Sequence, residues 1–444
     1  MDLFYFDGLA LLMGGLILLV AGVIASFSIR YMDGDRHYKR YFLTLGGVTL
    51  AALVLVFSNN VALFALAWAV MGAALSRLIG HSKGWAQARQ AGRLALVHFM
   101  GGAAALFAAL ALLGTQTGQW SISGILANLS TLDPGTLYSA GGLILLAAMV
   151  QSALFPFHKW LLASMTAPTP VSAFMHAGLV NAGGFLIVRF SSLFAAMPDM
   201  LLAVFAAGAL TALVASYWML TQPDIKRALG CSTSAQMGFM VLQCGLGFYT
   251  AAIAHLILHG FFKAYHFLAA GSAIENPLLP KSDTPGTGAS IWARSCLMLV
   301  GGVTAALVFA SLTNKTLINA DSGIVLMAFA GLAGVQAATG LAGLAHINIA
   351  LRTVWTVAII GLAAALYAGL FGLIASAVPV DVPQDLSLIH LAGLGLFAAG
   401  WITMALGAHR SSTGIAARAY MTSLNAAQPP IQTIMNHRRT YNAG

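Results

Sequence analysis

Apolar runs of about twenty residues recur along nearly the whole of this 444-residue chain, with hardly a charge inside them. As a helix, a run of that length crosses a hydrocarbon core of roughly 30 Å. Lipid offers no hydrogen bonds, so every backbone N–H and C=O must be satisfied within the protein. Only helical bundles and closed barrels achieve this. A barrel would show short alternating segments, whereas these runs are continuous. Charged residues make up 7% of the chain, against roughly 25% in soluble domains. The expected fold class is an all-α polytopic membrane protein. No basic stretch, short apolar run and small-residue cleavage site open the sequence, so the first helix is expected to stay in the protein.

About thirteen transmembrane helices are expected, at roughly 4–28, 41–57, 60–80, 93–114, 138–163, 169–190, 199–220, 226–245, 249–273, 293–319, 322–346, 353–377 and 386–408. Cations crowd residues 30–40 and 77–93. Both stretches follow odd-numbered helices and so share one side, which the positive-inside rule assigns to the cytoplasm. The expected place is the cytoplasmic (inner) membrane of a prokaryote, with the N-terminus outside and the C-terminus cytoplasmic. The formal charge of +9 is carried by such loops and by a basic tail. No basic segment interleaved with aromatics suggests nucleic acid.

Two spans are expected to be broken. The fifth is too long for one crossing and carries Phe155-Pro156-Phe157 after Gln151, and proline removes a backbone donor. The tenth, LVFASLTNKTLINADSG, turns polar at residues 311–316. Breaks five helices apart suggest two inverted five-helix repeats, about 41–190 and 199–346, and discontinuous helices at matching places point to a transport site. Two unrelated kinks are the competing reading. The transmembrane domain is taken as residues 1–411. Residues 412–444 form a cytoplasmic amphipathic tail, read either as a partner-docking element or as a frayed end.

Ionisable groups inside membrane helices are costly, and they mark functional sites. His255, His259 and Lys263 stand at i, i+4 and i+8, on one helix face, with His266 nearby. Histidine titrates at about 6.5 and suits a proton relay; packing hydrogen bonds are the bland alternative. His176, in APTPVSAFMHAGLV, is either structural or part of the path, with Gly178, Gly183 and Gly184 allowing close helix approach. Lys226 opens the eighth span beside Asp224 and Arg227, as a path residue or a cytoplasmic anchor. Lys315 lies at the tenth-span break, ending a proton path or snorkelling to the interface, and His158 follows the first break, where it could equally be interfacial.

What is missing narrows the function further. The single glutamate, Glu275, falls after a span, and no acidic residue lies at the centre of an expected helix. Paired carboxylates, a GxSxG elbow and a glycine-rich phosphate loop are absent. Cys231, Cys244 and Cys296 are scattered without CxxC spacing, which argues against a zinc site or a disulfide framework in this chain. The chain is expected to be a transport subunit, with no catalytic residue and no cofactor of its own.

The segments QSALFPFHKWLLASMTAPTPVSAFMHAG, DIKRALGCSTSAQMGFM and HLILHGFFKAYHFLAAGS, in that order, resemble the antiporter-like, proton-translocating membrane subunits of respiratory complex I and Mrp-type antiporters. The likeness covers roughly residues 4–275 and is weaker beyond them. It implies two inverted half-channels on a central polar axis. It places the family's lysine at Lys263, its histidines at His255, His259 and His176, and the lysine of the second half at Lys315. Relative to that family the chain looks short, starting about two helices late and lacking a lateral helix.

Two departures stand out. The family's glutamate follows a tryptophan, but here Trp68 is followed by Ala69, and the lysine of its KSA-type motif is replaced by Gln151. The charge pair of the first half-channel is therefore lost. Within the family, the chain looks most like the membrane subunits of inorganic-carbon pumps. That likeness implies a cytoplasmic zinc-dependent, carbonic-anhydrase-like partner, with the zinc held by the partner, and coupling of proton or sodium flow to CO2 hydration and bicarbonate accumulation. A pumping complex I or Mrp-type subunit is the alternative, and a non-conducting scaffold a third. The expected route enters from outside near Lys315, crosses by Lys263, then His259 and His255, and leaves toward the partner.

Overall fold

The computed structural model describes residues 3–271, 291–312, 321–342, 349–378, 381–405 and 414–434. Its first half comprises α1 (Gly8–Tyr31), α2 (Tyr38–Phe57), α3 (Val61–Ile79), α4 (Ala86–Thr117), the short α5 (Ile122–Ala127) and α6 (Pro134–Gln151). The interrupted stretch follows as α7 (Lys159–Ala163), α8 (Thr169–Ala177), α9 (Ala182–Arg189) and α10 (Ser191–Ala195). Then come α11 (Pro198–Thr221), α12 (Ile225–Gly245) and α13 (Tyr249–Leu268). The remainder is α14 (Ile291–Leu312), α15 (Gly323–Ala342), α16 (Ile349–Ala375), α17 (Leu388–Ala405) and α18 (Gly414–Ala426).

Side-chain caps set several starts, each accepting an N–H that the first turn would leave unpaired. Asp7 receives Ala10 N at 2.8 Å, Asn60 receives Leu63 N at 3.0 Å, and Asp224 receives Lys226 N at 2.7 Å. Among the described residues, eight segments are long and apolar enough to cross a bilayer, Thr169–Arg189 joining α8 and α9 as one. Shorter apolar helices lie at Cys296–Ser311, Gly323–Ala338 and Leu388–Thr403. The protein is an all-helical membrane protein. Neither α12 nor α13 meets that apolar criterion, because these two carry the polar motifs.

The fifth span breaks where expected: α6 ends at Gln151, and the chain turns through a cis Phe155-Pro156 bond before α7. The sixth span is broken too, between α8 and α9 at residues 178–181, which the sequence did not lead us to expect. Each break hydrogen-bonds its neighbours. Gln151 Nε2 donates to Leu179 O at 3.1 Å and Ser152 Oγ to Val180 O at 2.7 Å. Phe155 N donates to Thr211 Oγ1 at 3.2 Å, Ser234 Oγ to Ala153 O at 3.0 Å, and Trp160 Nε1 to Val150 O at 2.9 Å. Irregular backbone at membrane depth survives only when buried in protein and satisfied there. Accordingly, 89% of the most apolar stretch of Thr169–Arg189 is buried, against 22% for Ala350–Ala375. The expected tenth-span break, with Lys315, lies largely outside the described residues, α14 being helical to Leu312.

Two apolar cores flank α13. The larger joins α1–α4, α6 and the broken helices, and takes Ile253, Ala254, Leu256 and Phe267 from α13. The smaller joins Phe205, Leu242 and Phe248 to Phe309, Val325 and Phe371, and takes Ala251. The tail folds back on this body: Ala427 is buried with Leu162, Trp218 and Cys231, and Ser423 Oγ lies 3.3 Å from Thr221 Oγ1.

Candidate functional site: a buried polar row on one helix

Because α13 runs between two cores, its polar face meets protein rather than lipid. Lys263 is fully buried and His259 is 5% exposed, while His255 is half-buried. With a rise of about 1.5 Å per residue, the eight residues from His255 to Lys263 span about 12 Å. The rings of His255 and His259 are 6.1 Å apart. His255 Nδ1 lies 3.2 Å from Gln243 Oε1 on α12.

At the other end of the row, Lys263 Nζ donates to Leu229 O at 2.9 Å. The same carbonyl receives Thr233 Oγ1 at 2.9 Å. Thr233 has one proton and gives it to Leu229, so its oxygen accepts from His176 Nδ1–H, 2.9 Å away. That network assigns the proton of neutral His176 to Nδ1. Its Nε2 is buried without a hydrogen-bond partner, as is Nε2 of His259. His176 stacks on Phe267, centroids 4.3 Å apart, so its ring cannot swing freely. Buried polar atoms of this kind ordinarily take bound water as their partner.

The other residues picked from sequence are placed apart. Lys226 Nζ reaches Thr169 Oγ1 at 3.3 Å, at the rim one turn before Leu229. His158 faces the tail: Nε2 is 3.4 Å from Ala426 O and the ring 4.2 Å from Trp218. Gln151 is buried and serves the α8–α9 break, whereas Ala69 is half-buried beside Trp68. Lys315 lies outside the described residues. Among the described residues, no group of three or more His, Cys, Asp or Glu is placed to hold a metal ion.

One expectation is corrected. A route from the N-terminal face was read as Lys263, His259, His255, but the order along α13 is the reverse. Asp7, ahead of α1, pairs with Arg189, and Tyr249 OH donates to Ser191 O at 3.4 Å, so α13 starts at the same end of the bundle as α1. His255 is therefore nearer that end, and Lys263 nearer the end bearing residues 30–40.

Several polar partners went unnoticed in the sequence. Thr233 and Gln243 lie within or beside the quoted motifs, and their spacing on α12 from Leu229 and to His255 was the available signal. The half-buried Asp7–Arg189 pair had none, being 182 residues apart.

A family profile described as NADH:quinone oxidoreductase/Mrp antiporter, TM, matches residues 58–284, and one described as NADH-ubiquinone oxidoreductase (complex I), chain 5 N-terminus, matches residues 3–42. A Bacillus anthracis protein, "Probable inorganic carbon transporter subunit DabB", is 39% identical over 302 residues, 67% of this chain and 58% of that protein. Its Bacillus subtilis (strain 168) namesake is 42% identical over 273 residues, 61% of this chain and 54% of that protein. The chain thus spans a little over half the length of these curated relatives. Among solved structures, a chain in "Structure of Mrp complex from Dietzia sp. DQ12-45-1b" superposes with a TM-score of 0.62 at 25% identity, covering 91% of this chain and 49% of that one.

Proposed function

The chain belongs to the NADH:quinone oxidoreductase/Mrp antiporter transmembrane family, and from that premise we propose that it is a proton-conducting membrane subunit whose flux powers a partner. The partner in this reading is a cytoplasmic, zinc-dependent, carbonic-anhydrase-like subunit that hydrates CO2 and accumulates bicarbonate. The chain itself performs no covalent chemistry and holds no cofactor. The names of the two Bacillus relatives support inorganic carbon as the transported cargo.

The observation that carries the reading is Lys263: a fully buried ammonium bonded to the Leu229 carbonyl, linked through it and Thr233 to His176, on the same helix face as His255 and His259. A buried ionisable group in a membrane bundle is expensive unless used. Protons would pass between His255, His259 and Lys263 through water at the unpartnered imidazole nitrogens, with His176 held ready through Thr233. Lys226 would stand at the cytoplasmic rim. Sodium is the alternative cation in this reading.

The finer architecture belongs to the same proposal. It comprises about thirteen spans, inverted repeats at about 41–190 and 199–346 with Lys315 in the second, a transmembrane domain of 1–411, and a cytoplasmic tail of 412–444. The N-terminus lies outside, in the inner membrane of a prokaryote. The tail packs against α11 and α12, so a partner docking there would meet it already seated on the body.

A pumping subunit of a complex I-like or Mrp-type complex is the second reading, favoured by the likeness to the Mrp chain. Ala69 and Gln151 weigh against it, because a pump relying on the family's charge pair lacks it here.

The test is Lys263→Ala in proteoliposomes and in cells. Proton flux should fall to the lipid leak, and gradient-dependent bicarbonate uptake should cease, with the protein still inserted. Normal flux in a well-expressed variant would overturn the relay.

A further inference from the structure

The sequence shows no carboxylate in the centre of any expected helix, yet the structure brings one to the head of the polar row. Residues 381–385 run as a strap over the turn between α12 and α13. Val382 N donates to Gly247 O at 2.9 Å, and Gly247, at φ +82°, lies so close to the Val382 carbonyl that a Cβ would collide with it. Gln384 N donates to Ser322 Oγ at 2.9 Å, and Ser322 Oγ in turn to Leu246 O at 2.7 Å. The strap is thus pinned at both ends. It sets Asp381 Oδ1 3.0 Å from Thr250 N, in the first turn of α13.

The next residue of that turn meets the row. Tyr367 OH donates to Ala251 O at 3.2 Å. Tyr367 also borders a cavity of about 320 Å³ together with Gln243 and His255, and these three are the polar members of an otherwise apolar wall. Asp381 lies close enough to interact electrostatically with Tyr367, Tyr249 and Cys244. A carboxylate at a helix N-terminus is stabilised by the positive end of the helix dipole. An acidic side chain at such a mouth also raises the local concentration of cations.

We infer that Asp381 is the proton-collecting residue at the His255 end of the row, feeding the edge formed by Tyr367, Gln243 and His255. Asp381 takes a proton from the water at that end and releases it inward, and the carboxylate is restored. It lies beyond residues 58–284, so the family match does not assign it. The inference rests on the proposed conducting role of Lys263, and its test separates the two.

Proton flux is measured in proteoliposomes carrying the full chain, its Asp381→Asn, Asp381→Glu and Asp321→Asn variants, and Lys263→Ala. Asparagine keeps an oxygen for Thr250 N, so the cap and the melting temperature should hold. Asp381→Ser, which also keeps an acceptor, serves if the amide fails to fold. The expected result is flux reduced about tenfold in Asp381→Asn, restored in Asp381→Glu, and unchanged in Asp321→Asn, whose carboxylate accepts from Gly323 N in its own turn. Parental flux in Asp381→Asn, with Lys263→Ala silent, overturns the entry role alone. Parental flux in Lys263→Ala overturns the conducting reading beneath it.

Discussion

Lys263 and Thr233 share one acceptor: the ammonium and the hydroxyl both donate to the Leu229 carbonyl, each at 2.9 Å. The carbonyl is on α12 and the lysine on α13, so the bond ties the two polar helices together at the point where His176 also arrives. A carbonyl has two lone pairs and can serve both donors. The bond that holds Lys263 is thus to a backbone carbonyl rather than to a carboxylate.

Thr233→Val therefore separates the two partners. Valine matches the shape but removes the oxygen, leaving His176 Nδ1–H buried and unpaired at about 1–3 kcal/mol, while Lys263 keeps Leu229. Flux should fall by about tenfold or more, equivalent to about 1.4 kcal/mol in a barrier, and the melting temperature should drop by a few degrees. Thr233→Ser restores the acceptor and should recover both. Flux in liposomes and thermal unfolding in detergent read the two effects separately. Parental flux in Thr233→Val would remove His176 from the path.

Gly183→Ala should fail structurally rather than functionally. A Cβ there would run into the Ser152 hydroxyl and the Ala148 carbonyl, where α6 and α9 cross beside both breaks. Overpacking costs about 1–3 kcal/mol, and here it also displaces Ser152 from Val180 O. Adding Ser152→Ala should not rescue the variant, because the Ala148 carbonyl belongs to the backbone. Thermal unfolding of single and double variants decides this.

Much of this was legible from sequence because membrane helices are long and uniform. The all-helical class followed from the long apolar runs, eight of which are long and apolar enough to span among the described residues, and the break after Gln151 followed from proline chemistry. The row at His255, His259 and Lys263 followed from spacing alone. The break at residues 178–181 was not legible: Gly178 and Asn181 are weak punctuation inside an apolar run, and the carbonyls of Leu179 and Val180 are satisfied by Gln151 and Ser152, nearly thirty residues away. Asp381 was hidden for a similar reason. A loop aspartate looks like solvent-facing polarity until the strap sets it on α13. The order of the row along the bundle is set by the direction of α13, which starts at the Asp7 end.

Asp7 and Arg189 join α1 to the end of α9. Arg189 gives both terminal nitrogens to the Asp7 carboxylate, one at 3.1 Å, and a further bond to Val56 O at 3.3 Å. Its side chain is 8% exposed. Asp7 is 28% exposed, so removing one partner leaves the other charge half-buried and unpaired, at a cost of about 1–3 kcal/mol. Asp7→Asn keeps the cap on Ala10 N, so it reports the charge rather than the cap. Asp7→Asn and Arg189→Gln should each destabilise more than half as much as the double variant, giving a coupling of at least about 1 kcal/mol in a double-mutant cycle. Additive losses would reduce the pair to packing.

His81 links the two basic loops, and its Nε2 lies 3.3 Å from both oxygens of Asp35. Burial holds the His81 imidazole below its ordinary range, outweighing the pull of Asp35. For Asp35, burial pushes upward but is outweighed by the His37 N–H and by His81, so the carboxyl ends below its ordinary range. Both folded values then lie below the unfolded ones, of about 6.5 and 3.9. In each interval between folded and unfolded values, the unfolded chain binds more protons, so stability rises with pH. The His81 contribution is complete above about pH 6.5 and is lost as pH falls toward the folded value; the Asp35 contribution follows below about pH 3.9. His81→Gln should flatten the melting temperature just below about pH 6.5, while the part of the acid limb that rests on the His37 N–H remains below about pH 3.9. An unchanged pH profile in that variant would mean that His81 is protonated as readily in the folded bundle as in the unfolded chain.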